Sequence, residues 1–236
     1  MQIDLVVPED VDVMLQGVST ADSQKLRTVF LRFSQFLTWP IAFVFFHSFY
    51  SMKINGSDNL LKIRSPFIII ANHPNVTASF LFRLILGFST PHLPLRFMAV
   101  RKFVWKWLNF LSAIGLVDFI YSLFGVFTVV PGRGIENNLV EAKRIIRSGG
   151  NVVIYPEGKI ESSNVIAPFH SGASVLAKDT GVPVLPISFR VSRNRFIRQN
   201  MTINIGKAIN ATKDMNIQQI TGLFYASIGE LYGSGK

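Results

Sequence analysis

Pro66-Phe67-Ile68-Ile69-Ile70-Ala71-Asn72-His73-Pro74-Asn75 passes from a wholly apolar run to a polar loop within one residue. Residues 67–71 show no polar alternation, so they read as a strand buried on both faces. Pro66 marks its start, and Asn72-His73-Pro74-Asn75 forms the loop that ends it. Residues 152–155 repeat the pattern and stop at Pro156-Glu157-Gly158. Residues 184–189 repeat it again after the turn Gly181-Val182-Pro183. Working outward, 52–55 reads as a short strand turned by Asn55-Gly56, and 95–100, 127–130 and 202–205 read as further strands. Helical stretches fall between them at 77–86, 101–124, 135–147 and 171–178. The stretch 135–147 carries Ile135, Leu139, Ala142, Ile145 and Ile146 at helical spacing, with Gly149-Gly150 as its C-cap. Ile217, Ile220, Phe224, Ile228 and Leu231 mark a last helix. Strands that alternate with helices, most of them without a polar face, predict an α/β fold: a mixed sheet covered by helices on both faces.

The N-terminal part differs. Residues 1–20 read as a loosely packed lead-in, and 22–49 as helix, split near Trp39-Pro40 because an internal proline breaks or kinks a helix. Two apolar stretches, 29–50 and 107–130, approach the ~20 residues that a membrane span needs. Arg32, Gln35, Pro40 and His47 interrupt the first, and Asn109 and Asp118 the second. Polar groups near the middle of a span are costly. The expectation is monotopic insertion, with a true span over 29–50 and plain core burial as the alternatives. Residues 1–50 then form an N-terminal membrane-associating helical segment and 51–236 the main domain. Glu9, Asp10, Asp12 and Asp22 are the wrong chemistry for a cleavable signal peptide.

Composition narrows the partners. Of 236 residues 49% are hydrophobic and 16% charged, against the ~25% charged typical of soluble domains. Lys and Arg total 24 and Asp and Glu 14, for a net charge of +10. That excess calls for an anionic partner, and a mean hydropathy of +0.34 favours lipid over nucleic acid. Basic residues are not interleaved with an aromatic platform, so no nucleic acid is expected. The absence of cysteine excludes disulfides, thiolate metal sites and a Cys nucleophile. His47, His73, His92 and His170 lack ligand spacing, so no metal is expected. No Gly-x-Ser-x-Gly elbow supports a serine hydrolase.

Four segments carry the chemistry in order: Ile70-Ala71-Asn72-His73-Pro74-Asn75, Val130-Pro131-Gly132-Arg133-Gly134, Ile154-Tyr155-Pro156-Glu157-Gly158-Lys159, and Gly181-Val182-Pro183-Val184-Leu185-Pro186-Ile187. Together, over roughly residues 50–210, they resemble the glycerolipid acyltransferase superfamily, and within it the lysophospholipid (1-acylglycerol-3-phosphate) acyltransferases. The resemblance implies transfer of a fatty acyl group from acyl-CoA or acyl carrier protein to the hydroxyl of a lysophospholipid or glycerol phosphate. The thioester is a co-substrate, and no cofactor is implied. The expected location is a membrane, monotopic on its cytoplasmic face, with membrane phospholipid as partner.

In the resembled family the His after the strand takes a proton from the acceptor hydroxyl, and an Asp after four intervening residues orients it. The chemistry requires this: an alcohol is a weak nucleophile, and a carboxylate on the second ring nitrogen fixes the tautomer and stabilises the imidazolium. His73 is the base by this reading, but the Asp position holds Ala78 and the next holds Ser79. Three explanations stay open: an Asp replaced by Ala, another acid such as Asp118 or Glu157 brought near by folding, or a non-catalytic lipid- or acyl-CoA-binding relative. The resemblance also implies an acceptor site drawn from Asn72, Glu157, Gly158 and Lys159, with Arg133 on the acceptor phosphate and Arg101 and Lys102 as weaker candidates for it. Gly158-Lys159 replaces the commoner Gly-Thr-Arg, so a point charge stands in for a bidentate fork. Arg190, Arg193, Arg195 and Arg198 form a basic run suited to head groups or CoA phosphates, or simply to solvent.

Overall fold

A computed structural model describes residues 20–75, 78–87, 90–100, 115–130, 132–161, 165–192, 198–212 and 214–234. The apolar runs pair first. Ile68, Ile69, Ile70 and Ala71 form β2 (Ile68–Ala71), buried throughout between β5 (Asn151–Ile154) and β6 (Val184–Ser192), both parallel to it. β3 (Leu95–Val100) pairs parallel to β5, and β4 (Val126–Val129) parallel to β3. On the other flank β7 (Gln199–Ile205) runs antiparallel to β6 and carries β1 (Tyr50–Asn55) parallel to itself. The result is a seven-stranded mixed sheet in the order β1-β7-β6-β2-β5-β3-β4, the α/β class that the sequence predicts.

Strand geometry sends alternate side chains to opposite faces, and each face has its own core. Ile69, Ala71, Val153, Leu185 and Ile187 point to a cluster shared with α1 (Thr20–Phe49) and α3 (Ala78–Ile85), through Ala42, Phe46, Leu81 and Phe82. Ile68, Ile70, Val152, Ile154 and Val184 point to the other face. There α5 (Ile135–Arg147), α6 (Gly172–Thr180) and α7 (Ile217–Gly233) bury Leu139, Leu176 and Phe224.

Three details differ from the sequence reading. α1 continues through Pro40 instead of splitting there. An internal proline costs a helix ~3 kcal/mol, but α1 is held on both sides of it, by Gln35 before and by buried Ala42 and Phe46 after. A short α2 (Ser57–Lys62) follows Asn55-Gly56, which sequence reads as a turn alone. Gly56 has φ +76°, and a Cβ there would lie 2.1 Å from the Ile205 carbonyl, so only glycine fits. Of the helix expected over 101–124, α4 (Leu116–Phe124) is present, starting after Gly115 at φ +76°. Residues 101–114 lie outside the described set.

Among the residues that interrupt the apolar run of α1, Ser34 and Gln35 are buried and Arg32 reaches inward, while Pro40 and His47 are exposed. Gln35 Nε2 donates to the carbonyls of Leu95 (2.7 Å) and Phe124 (3.1 Å), and its Oε1 accepts from the Leu95 N–H (3.0 Å). Ser34 donates to the Leu123 carbonyl and Arg32 Nε to the Leu93 carbonyl, both at 2.7 Å. These bonds close the start of β3 and the end of α4, where backbone groups would otherwise be orphaned. The outward face of α1 is left apolar, with Leu26, Val29, Phe30, Phe33, Leu37, Ile41 and Val44 exposed.

Candidate active site at the carboxyl ends of the parallel strands

β2, β5, β3 and β4 are parallel, so the loops that follow them emerge at one edge of the sheet. His73 follows β2, Glu157 follows β5 and Arg133 follows β4. That edge is where ligands bind in open α/β sheets. β6 runs the same way, and its end carries Arg190 toward that edge.

Asn72 begins the site. Its Nδ2 donates to the Phe189 carbonyl at 2.8 Å, and its Oδ1 accepts from the Phe189 N–H at 2.7 Å. The side chain thus extends the β2–β6 ladder by one step after the backbone has left it. That lets the chain turn out at His73 without stranding the polar groups of β6. The turned-out segment is then clamped: the His73 N–H donates to Glu157 Oε1 (3.1 Å), and its carbonyl accepts from the Glu161 N–H (2.9 Å). The imidazole lies flat on the Tyr155 ring, centroids 4.0 Å apart at 12°. The Tyr155 and Ser79 hydroxyls share a hydrogen bond of 3.0 Å, which ties the stacking ring to α3.

Glu157 is 2% exposed. Burial raises its pKa, and the N–H groups of His73 and Ala167 act in the opposite direction by bonding the carboxylate. It therefore buttresses the His73 backbone, and its carboxylate is spent there instead of on the imidazole. Gly158 makes the turn with φ +65°; a Cβ there would stand 2.9 Å from His170 Cδ2.

The imidazole itself is short of partners. Its Nδ1 is buried without a hydrogen bond of normal geometry among the described residues. Burial lowers the His73 pKa to about 4, and the Asn75 backbone only partly opposes this. Ala78, at the Asp position, opens α3 and is 0% exposed, with its N–H bonded to the Asn75 carbonyl. Its methyl belongs to the apolar cluster with Leu81 and Phe82. Asp118 stands on α4, and its side chain is outside the described set.

The cations are dispersed along the same edge. Lys159 is adjacent to the Glu157 turn, its side chain 63% exposed and 3.4 Å from Glu161. Arg133 is exposed in a loop built by Asn138, which bonds both backbone groups of Val130, and by Asn137, which bonds the Arg133 carbonyl. It lies three strands from His73, roughly 14 Å by strand spacing. Arg190 stacks over Tyr232 at 5.4 Å, and Arg198 is exposed. Arg101, Lys102, Arg193 and Arg195 lie outside the described residues. Sequence reading missed Tyr155 and Ser79 as partners at the His73 ring. Its available signal was an aromatic residue directly ahead of Pro156-Glu157-Gly158.

A half-buried histidine loop is thus locked to the Pro-Glu-Gly turn that follows the neighbouring parallel strand. The family model described as Acyltransferase matches residues 51–190, and the chain belongs to that family. It is 27% identical over 159 residues to the chloroplastic 1-acyl-sn-glycerol-3-phosphate acyltransferase BAT2 of Brassica napus, covering 66% of this chain and 42% of that protein. It is 28% identical over 175 residues to the Homo sapiens 1-acyl-sn-glycerol-3-phosphate acyltransferase beta, covering 70% of this chain and 58% of that protein. The chain thus spans about half the length of these relatives. The crystal structure of the 1-acyl-sn-glycerophosphate acyltransferase PlsC from Thermotoga maritima shares the fold, with a TM-score of 0.61 and 21% identity over 96% of this chain and 89% of that one.

Proposed function

We propose that this chain binds, at a membrane surface, an acyl thioester and a 1-acylglycerol-3-phosphate or similar lysophospholipid, and supports acyl transfer between them. The observation that carries this is the His73 loop clamped by Glu157 at the carboxyl edge. In the reaction the acceptor hydroxyl gives its proton to the free nitrogen of the His73 ring as its oxygen attacks the thioester carbonyl. The carbon–sulfur bond breaks, and the thiolate takes up the proton. Either acyl-CoA or acyl carrier protein supplies the thioester. Asn72, Tyr155 and Glu157 position His73, and Lys159 and Arg133 supply positive charge for the acceptor phosphate.

The rate should be low. A base with a pKa near 4 has little drive to accept a proton at neutral pH. With Ala78 at the Asp position, no carboxylate on Nδ1 fixes the tautomer or stabilises the imidazolium, and the Asn75 backbone only weakly favours the charged ring. The same observation supports a second reading, a relative that binds lipid or acyl-CoA without turning it over. Acyl-CoA consumption with lysophosphatidic acid, followed by lipid product analysis, decides between them. Ala78→Asp should raise turnover by roughly 10³–10⁴-fold, and His73→Ala in that background should abolish it. No turnover in either form, with the protein folded and lipid-bound, would favour the binding reading. Equal turnover in both would place the acid elsewhere.

The outward apolar face of α1 supports monotopic seating in the bilayer. A helix packed on α3, α4 and β1 and bonded by Gln35 to the start of β3 lies on the domain, with its apolar side available to the acyl-chain boundary.

A further inference from the structure

The opposite edge of the sheet holds a second charged site. A cavity of about 240 Å³ opens there between α1, the start of β3 and the end of α5. Four guanidinium groups line it: Arg27 and Arg32 from α1, Arg96 from β3 and Arg144 from α5. One carboxylate stands among them in the described structure. Glu141 holds Arg144 in a fork of two 2.8 Å bonds and lies 3.6 Å from Arg96 Nη2. Four positive charges against one negative leave the cavity strongly electropositive.

Arg96 carries the argument. The residue is 7% exposed, and its Nε donates to the Gly125 carbonyl at 3.0 Å. Its Nη2 is buried with no hydrogen-bond partner among the described residues. Burial, then the charge of Arg27, lowers its pKa to about 10, so the group is still cationic at neutral pH. A buried charged donor without a hydrogen bond is costly even with Glu141 3.6 Å away, and guanidinium groups crowded together repel. An oxyanion in the cavity relieves both penalties. The planar forks of arginine match phosphate oxygens.

We propose that this cavity binds a phosphate group, at a site separate from His73. The two lie at opposite ends of the parallel strands, roughly 20 Å apart by the length of a six-residue strand. Beside Arg27 and Arg32 on α1 stand the exposed Leu26, Val29, Phe30 and Phe33. The phosphate therefore sits where bilayer head groups would meet a membrane-seated α1. A phospholipid head group and free phosphate offer the same chemistry.

Two measurements on the full chain separate these sources. Thermal unfolding in detergent should show stabilisation by inorganic phosphate that Arg27→Gln and Arg96→Gln each remove. Arg96→Gln should also unfold no earlier than the parent without phosphate, because it removes a buried charge that other guanidinium groups crowd and whose Nη2 lacks a hydrogen bond; a merely structural Arg96 would show the reverse. Co-flotation should then compare vesicles of phosphatidylcholine with vesicles also containing phosphatidylglycerol. Phosphatidylglycerol is neither the proposed acceptor nor its product, so this result is independent of acyl transfer. Arg27→Gln should lower binding to the anionic vesicles about tenfold and leave neutral vesicles unaffected, while Lys53→Gln, equal in charge loss, should change it under about twofold. A phosphate response alone assigns the site to the soluble ion, and the vesicle response assigns it to the head group. No phosphate response, together with equal weakening by Arg27→Gln and Lys53→Gln, would overturn the proposal.

Discussion

At His73, burial and a missing partner act together. Burial keeps the ring neutral at neutral pH, which is the form a base needs, but takes its pKa to about 4, too low for efficient proton uptake. A carboxylate at position 78 would favour the charged ring and raise that value. In the present chain the titration of His73 should therefore leave turnover flat from about pH 5 to 8. In Ala78→Asp a limb should appear in that range, activity falling as pH drops through the raised pKa; a pH–rate profile reads this. The same group affects stability. Between pH 6.5 and about 4 the unfolded chain protonates this histidine and the folded chain does not. Stability should fall across that window by up to ~3 kcal/mol from His73 alone. His92, also lowered by burial, adds in the same direction. Denaturant midpoints across the window should decline less steeply in His73→Gln than in the parent. The motif made His73 legible from sequence. Its environment was not, because Tyr155 and Glu157 come from the turn after β5, more than 80 residues later.

At the level of elements, α1 turns Leu31, Ser34, Gln35, Ala42 and Phe46 to the protein and a largely apolar face outward. Gln35 is its fastening, with three bonds at the start of β3 and the end of α4. Gln35→Leu keeps the bulk but strands the Leu95 N–H and carbonyl. It should cost roughly 2–4 kcal/mol, measured by denaturant unfolding. The outer face makes a different prediction. Phe33 and Ile41 are exposed and touch no core cluster. The double change Phe33→Gln, Ile41→Gln should leave the unfolding midpoint unchanged and reduce vesicle binding about 100-fold, the loss of two apolar anchors. Periodicity placed this helix correctly and misread Pro40, since propensity is local and the contacts that override it are not.

On the scale of the molecule, topology gathers the site. Five strands share one direction, so their carboxyl ends line one edge, and the described cations Lys159, Arg133 and Arg190 are spread along it. Lys159 follows β5, the strand beside β2, whereas Arg133 follows β4, two strands further along. Replacing either by Ala should weaken acceptor binding by roughly 1–3 kcal/mol and donor binding less. Isothermal titration with lysophosphatidic acid and with acyl-CoA checks this, and unchanged acceptor affinity in both variants would remove them from the site.

The α/β class, the strand positions and the residues at strand ends were all legible in the sequence by itself. A strand buried on both faces needs an unbroken apolar run, and the turn that ends it needs Pro, Gly or Asn, so both signals are written in neighbouring residues. The absence of a carboxylate at position 78 was equally plain. Only the tertiary structure decided which polar groups meet. Asn72 bonds a backbone 117 residues away, Gln35 one 60 residues away, and Glu157 the His73 N–H instead of its ring. The arginine cavity is assembled from α1, β3 and α5, three elements spread over more than half the chain. Such pairings depend on the order in which strands enter the sheet. Sheet order is set by how distant apolar faces pack, and no local period in the sequence encodes it.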